Sequence, residues 1–148
     1  MVKGGDGKMA ILQSPVKEEF ASLLEKSDNQ FSDGNYTDSI VSLEEAWDLI
    51  PEPKGIYCEE SYHLVKDIIS TCLIVKDYKK AKEWAERIFL TGFARIDSGD
   101  KEFIAGKVAF ELGDFETAKE FFSIANHKSE GRCFGSPNNT KYLKFFKS

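Results

Sequence analysis

The sequence predicts an all-α protein built from helical hairpins in series. Three observations carry this. Apolar residues recur at helical spacing along most of the chain. No stretch alternates apolar and polar residues long enough to require a strand. One turn formula appears three times between helical segments.

The 148 residues suit a single domain with a sizeable core. Residues 1–13, with Gly4, Gly5 and Gly7 among charges, read as a flexible N-terminal arm. Residues 14–148 read as one helical domain whose tail occupies 127–148. Ser14-Pro15 opens the first helix, Ser as a candidate N-cap and Pro as a first-turn residue. Val16, Phe20, Leu23, Leu24, Ser27 and Phe31 form its stripe. Asp33-Gly34-Asn35 ends it. The second helix runs from about Tyr36 to Leu49, with Ile40, Leu43, Ala46 and Trp47 inward, and stops before Pro51 and Pro53.

The third helix, roughly Ile56 to Val75, buries Val65, Ile68, Ile69 and Cys72 and turns Glu59, His63, Lys66 and Ser70 to the opposite side. A fourth, about Tyr78 to Phe89, carries Ala81, Trp84, Ala85 and Ile88, and Gly92 closes that region. Asp100 is placed to cap a fifth helix to Leu112; a sixth spans Phe115 to about Asn126. After the loop at Gly131–Gly135, Asn139 or Thr140 can cap a last helix through Phe146. The fifth helix is apolar nearly all round: Ile104, Ala105, Val108, Ala109 and Leu112 on one side, Phe103 and Phe110 on another edge, only Lys107 and Glu111 between. Such a helix must be covered on two sides. The aromatic tail with Tyr142, Phe145 and Phe146 is the expected cover, a C-terminal capping helix.

Composition excludes several functions. The net charge is −5, which argues against general phosphate binding. Five basic residues from Lys128 onward against Glu130 give the tail +4 and leave −9 on residues 1–127. Cys58, Cys72 and Cys133 lack any C-x-x-C spacing, so neither a disulfide framework nor a zinc site is expected. Met1 to Pro15 holds no apolar leader and no run reaches membrane-span length; a cytoplasmic protein with no membrane partner is expected. His63 and His127 stand in no ligand spacing, and no nucleophile signature occurs. The sequence therefore predicts neither an enzyme nor a cofactor or metal.

The repeated turn is Gly34-Asn35-Tyr36 followed by Ser39, Lys76-Asp77-Tyr78 followed by Ala81, and Gly113-Asp114-Phe115 followed by Ala118. This resembles the corner of tetratricopeptide repeats, where a small residue sits one turn into the second helix. The first copy continues with Leu43, Ala46, Leu49 and Pro51 at the family's spacings, and Ala105-Gly106 occupies the family's Leu-Gly pair in the third. The corners lie 42 and 37 residues apart, against about 34 in the regular repeat. About three hairpin pairs over residues 16–126 are implied.

The resemblance also implies that the first helix of each pair lines a groove. It places Leu24, Asp28 and Phe31, then His63, Lys66, Ser70 and Leu73, then Phe103, Lys107 and Phe110 on that groove. Of these, Asp28, Phe31, His63, Lys66, Ser70, Phe103, Lys107 and Phe110 are the expected contacts to a partner protein, with Phe103 or Phe110 as an apolar anchor. The small size, the repeats and the tail motifs Glu130-Gly131-Arg132-Cys133-Phe134 and Lys141-Tyr142-Leu143-Lys144-Phe145-Phe146 resemble small bacterial immunity proteins, which neutralise a toxin by occlusion. A chaperone or scaffold adaptor is the alternative. Nucleic-acid binding through Arg132, Lys141, Lys144 and Lys147 with the tail rings is a further one, opposed by the acidic body.

Overall fold

The computed structural model describes residues 10–91 and 98–148. These contain seven α-helices and no strand: α1 Val16–Ser32, α2 Tyr36–Leu49, α3 Cys58–Val75, α4 Tyr78–Ile88, α5 Asp100–Glu111, α6 Phe115–Ser129 and α7 Thr140–Lys147. Helices α1 and α2, α3 and α4, and α5 and α6 pack most extensively as pairs, and each pair then stacks on the next. The expected helix bounds hold to within a few residues. The early glycines of the arm and Gly92 lie outside the described residues.

The three corners share one backbone geometry. Gly34, Lys76 and Gly113 are left-handed, with φ of 83°, 64° and 83°. The residue after each reaches back to a helix carbonyl: Asn35 N–H donates to Gln30 (2.8 Å), Asp77 to Cys72 (2.9 Å) and Asp114 to Ala109 (2.9 Å). This closes the last turn of the outgoing helix, whose final carbonyls would otherwise lack donors. The Asp77 and Asp114 carboxylates then accept from the N–H groups of Lys80 and Thr117, capping the incoming helix. One residue thus ends one helix and the next begins the other. The small residues one turn on, Ser39, Ala81 and Ala118, are fully buried. At the first corner, Ser39 and Ser27 face each other with hydroxyl oxygens 2.6 Å apart, which satisfies two buried polar groups across α1 and α2.

Two hydrophobic cores meet at α5. The larger runs from Leu12 and Phe20 through Ile40, Tyr62, Ile68 and Trp84 to Ile104 and Val108. The smaller gathers Phe103, Ala109, Ala118, Phe122, Phe134 and Tyr142, flanked by Phe110, Phe145 and Phe146. Gly106 lies on this second side, where an added Cβ would come within 2.7 Å of the Phe122 ring. Glycine there lets α6 approach α5 closely. The tail covers the cluster as expected: Phe110 meets Tyr142 and Phe145 edge-on at 5.3 and 5.0 Å, and Phe134 stacks on Phe146 at 5.2 Å.

Several end signals differ from expectation. Ser14 does not cap α1; its hydroxyl donates to the Glu18 carboxylate at 2.7 Å, because Pro15 takes the cap position. Gly99 rather than Asp100 precedes α5, in a left-handed conformation, so the Asp100 carboxylate is free to accept from Tyr62 Oη at 3.2 Å. Asn139 turns its amide back to the Cys133 carbonyl at 3.3 Å instead of capping α7. The last residues of the expected arm lie on the body: Ala10 N–H donates to the Ile56 carbonyl at 2.9 Å, and Leu12 is buried.

Nothing lies within 4 Å of the position a Gly113 Cβ would take, so backbone strain alone selects glycine there. Gly113→Val is expected to lower stability by about 1 kcal/mol or more. Lys76→Gly is expected to raise the melting temperature. It relieves about 1–2 kcal/mol of left-handed strain against an unfolded-state entropy cost of about 0.4–1 kcal/mol. Thermal melts of both variants check the pair; no change at Gly113 would contradict the corner geometry. Ala118→Leu is expected to cost about 1–3 kcal/mol by overpacking α6, and parental stability in that variant would mean the helix register differs.

Candidate partner-binding groove

Helix α3 is the longest of the seven, and its two sides differ completely. Val65, Ile68, Ile69 and Cys72 are buried in the larger core. Glu59, His63, Asp67 and Ser70 are exposed, with Glu60 and Lys66 half-buried beside them. With 3.6 residues per turn, successive residues point about 100° apart, so neighbours on this outer face lean toward different flanking helices.

On the α1 side two clefts open. One, of about 340 Å³, is lined by Lys17, Phe20, Leu24, Glu59, Glu60, His63 and Asp67, among others. The next, about 240 Å³, is lined by Asp28, Phe31, Asp67, Ser70 and Ile74, among others. Asp67 borders both. Desolvation in this seam raises its carboxyl above the ordinary value, Asp28 adds to the rise, and His63 and Lys66 oppose it. None of Asp28, Glu59, Glu60 and Asp67 has an ion-pair partner among the described residues.

On the α5 side lies a polar cleft of about 520 Å³, formed by Tyr62, His63 and Lys66 of α3, Asp100, and Lys128, Glu130 and Arg132 at the end of α6. Most charges here are matched. Lys128 pairs with Glu102 at 2.8 Å, Arg132 with Glu130 at 3.6 Å, and Asp100 accepts from Tyr62. Lys66 and Lys107 are different. Lys66 lies over the Tyr62 ring at 5.9 Å and Lys107 over Phe103 at 5.2 Å, and neither has a carboxylate within ion-pair distance among the described residues. Desolvation lowers the Lys107 pKa, the nearby Lys66 charge lowers it further, and Asp100 resists.

The structure therefore sorts the expected contact residues into three groups. Asp28, Phe31 and Ser70 line the α1–α3 seam. His63 and Lys66 border the polar cleft, with Lys107 beside Lys66. The aromatic anchors do not belong to the groove. Phe103 is buried in the second core, edge-on to Phe134 at 5.3 Å, and Phe110 is covered by Tyr142 and Phe145. The tail took those rings because α5 had a second apolar side to bury. Phe31 remains exposed, edge-on to Tyr36 at 4.9 Å. Asp67, Glu60 and Arg132 are site residues that the groove assignment left out. The i, i+4 relation of His63 to Asp67 was the available signal for one of them.

No group of three or more metal-capable side chains occurs among the described residues, and no described helix is long and apolar enough to cross a membrane. Burial pushes the Cys72 thiol up to about 11, away from thiolate chemistry. A separate apolar cleft of about 450 Å³ lies between α4, α5 and α6, with Phe89 and Leu112 at its edge. A scan against protein-family models and a search of curated proteins found no match for the chain.

Because the Asp67 carboxyl is raised, its ionised form is held at a cost that disappears as pH falls through the raised pKa toward 3.8. Asp67→Asn is therefore expected to melt higher than the parent at pH 7, with the advantage shrinking as pH falls through the raised pKa toward 3.8. Melting curves across that window check it, and an advantage that grew on acidification would have the wrong sign. Lys107→Met should likewise melt higher at pH 7, since the lowered lysine pKa marks a charge kept at a cost.

Proposed function

We propose that this chain is a non-catalytic protein-binding module of the tetratricopeptide type, which holds a partner on the outer face of α3. The observation that carries the reading is the set of unneutralised charges there. Asp28, Glu59, Glu60, Asp67, Lys66 and Lys107 all lack ion pairs among the described residues, while Glu44, Glu102 and Glu111 are paired across other helix seams. Keeping Lys107 half-buried and beside another lysine lowers stability, and groups retained at such a cost gather at functional sites. The three corners with their common backbone geometry support the repeat type.

The narrower form of the proposal is an immunity protein that occludes a cognate toxin. It rests on the small size, the repeats and the tail motifs, and the tail motifs are absorbed into the second core. A chaperone or scaffold adaptor would use the same face. Co-expression with the toxin of an adjacent gene separates the two: an immunity protein restores growth, an adaptor does not.

Charge reversal tests the shared reading. Lys66→Glu with Lys107→Glu is expected to weaken binding to the purified partner by about 2–5 kcal/mol if the charges pair in a desolvated interface. Calorimetry measures it, with a melting curve to establish that the variant is folded; Lys66→Glu alone serves if the double variant melts early. Full affinity in a folded variant would move the site off α3.

A further inference from the structure

The two sides of the α3 face carry opposite sign. Toward α1, Glu59, Glu60 and Asp67 outnumber Lys17 around an apolar floor of Phe20, Leu24 and Leu64, and Asp28 and Asp67 border the next cleft. Toward α5, Lys66, Lys128 and Arg132 outnumber Asp100 and Glu130 around the polar cleft, and Lys107 lies within electrostatic reach of Lys66 and Asp100. Lys66 and Asp67 are adjacent in sequence, yet Asp67 lines the α1 clefts and Lys66 the α5 cleft. His63 borders both. The division is thus a property of one helix and its two neighbours.

We propose that this face binds an extended segment of a partner protein in one orientation: a basic side chain of the segment enters the α1–α3 cleft and an acidic side chain meets Lys66 and Lys107. The inference rests on the protein-binding reading above and adds the chemistry of the ligand. The α1–α3 cleft joins carboxylates at its rim to an apolar floor, which suits the aliphatic stem and charged head of Lys or Arg. Asp100 offsets the Lys107 charge only in part, and neither lysine has a carboxylate at ion-pair distance among the described residues, so an acidic side chain of the segment completes the pairing. A nucleic acid fits poorly, because its phosphates would meet four unpaired carboxylates across the same helix.

The geometry sets a spacing. The two clefts flank α3, so their centres are separated by about one helix width, roughly 10 Å. An extended chain rises about 3.3 Å per residue, so the basic and acidic residues should stand about three apart. A segment with the charges reversed would place like against like at both ends and be rejected.

The probe is a random dodecapeptide library displayed on phage, selected against the full chain. Enriched sequences should carry a basic and an acidic residue about three positions apart. Selection against Lys66→Glu should keep the basic preference and lose the acidic one, and Asp67→Lys should do the reverse. A synthetic peptide from the parental selection should bind Lys66→Glu at least tenfold more weakly. Enrichment without the charge pair, or a pair unchanged by Lys66→Glu, overturns this inference and leaves the protein-binding reading standing. No enrichment overturns the extended-segment mode, while calorimetry with a folded partner still decides the broader reading.

Discussion

The structure depends on a helix that has two apolar sides. Helix α5 gives Ile104 and Val108 to the larger core and Phe103 and Ala109 to the smaller. A stack that ended at α6 would cover this second side only with Phe122 and its neighbours and leave Phe103 and Phe110 partly in water, at up to about 1.5–3 kcal/mol for each large side chain. The chain resolves this by returning. Phe134, Tyr142, Phe145 and Phe146 close over the cluster, and α7 occupies the end of the stack. Polar contacts pin that return: Glu111 accepts from Tyr142 Oη at 2.7 Å and pairs with Lys141 at 2.6 Å. Burial works to raise the Glu111 carboxyl, but these two hydrogen bonds together with the Lys141 and Lys76 charges outweigh it and hold it below its ordinary value. The same Glu111 fills the narrow polar strip of an otherwise apolar helix, so its charge is consumed in holding the tail.

Most of this architecture could be read from the residues, for a local reason. Helix ends are decided within a few residues by left-handed conformations and capping carboxylates, and Gly113-Asp114 states both needs in adjacent letters. Lys76 shows how far the rule stretches, since a lysine adopts the same left-handed turn once Asp77 and the buried Ala81 follow it. Where the reading failed, the deciding contact was distant in sequence. Asp100 was expected to cap its own helix; Tyr62, on α3, takes its carboxylate instead. Leu12 was assigned to a free arm, yet a single apolar residue can be buried by a core that its own segment does not announce.

The groove was legible in part. Exposure of His63 and Ser70, and partial exposure of Lys66, followed from one helix having one buried stripe. Helical period alone does not say which side of a doubly apolar helix meets the tail, so Phe103 and Phe110 were assigned to a partner that turned out to be the chain itself. Asp67 was invisible for another reason. Beside Lys66 in sequence it reads as one more solvated charge, and only the position of α1 reveals the seam that desolvates it.

The distribution of ion pairs separates charges that build the fold from those that do not. Glu44 with Lys80 joins α2 to α4, Glu102 with Lys128 joins α5 to α6, and Glu111 with Lys141 joins α5 to α7. Each ties elements that already touch through apolar contacts, where a partly buried pair is worth more than an exposed one. On the α3 face the pattern reverses. Desolvation raises the Asp67 carboxyl, with Asp28 adding to it and His63 and Lys66 opposing, and desolvation lowers the Lys107 ammonium, with Lys66 adding to it and Asp100 opposing. Pairing Lys66 with Asp67 within the chain would have relieved both, but adjacent helical residues cannot face each other. Apolar burial in the two cores carries the cost of these charges in the chain itself. The ligand proposed above, of opposite polarity on each side of α3, would relieve it.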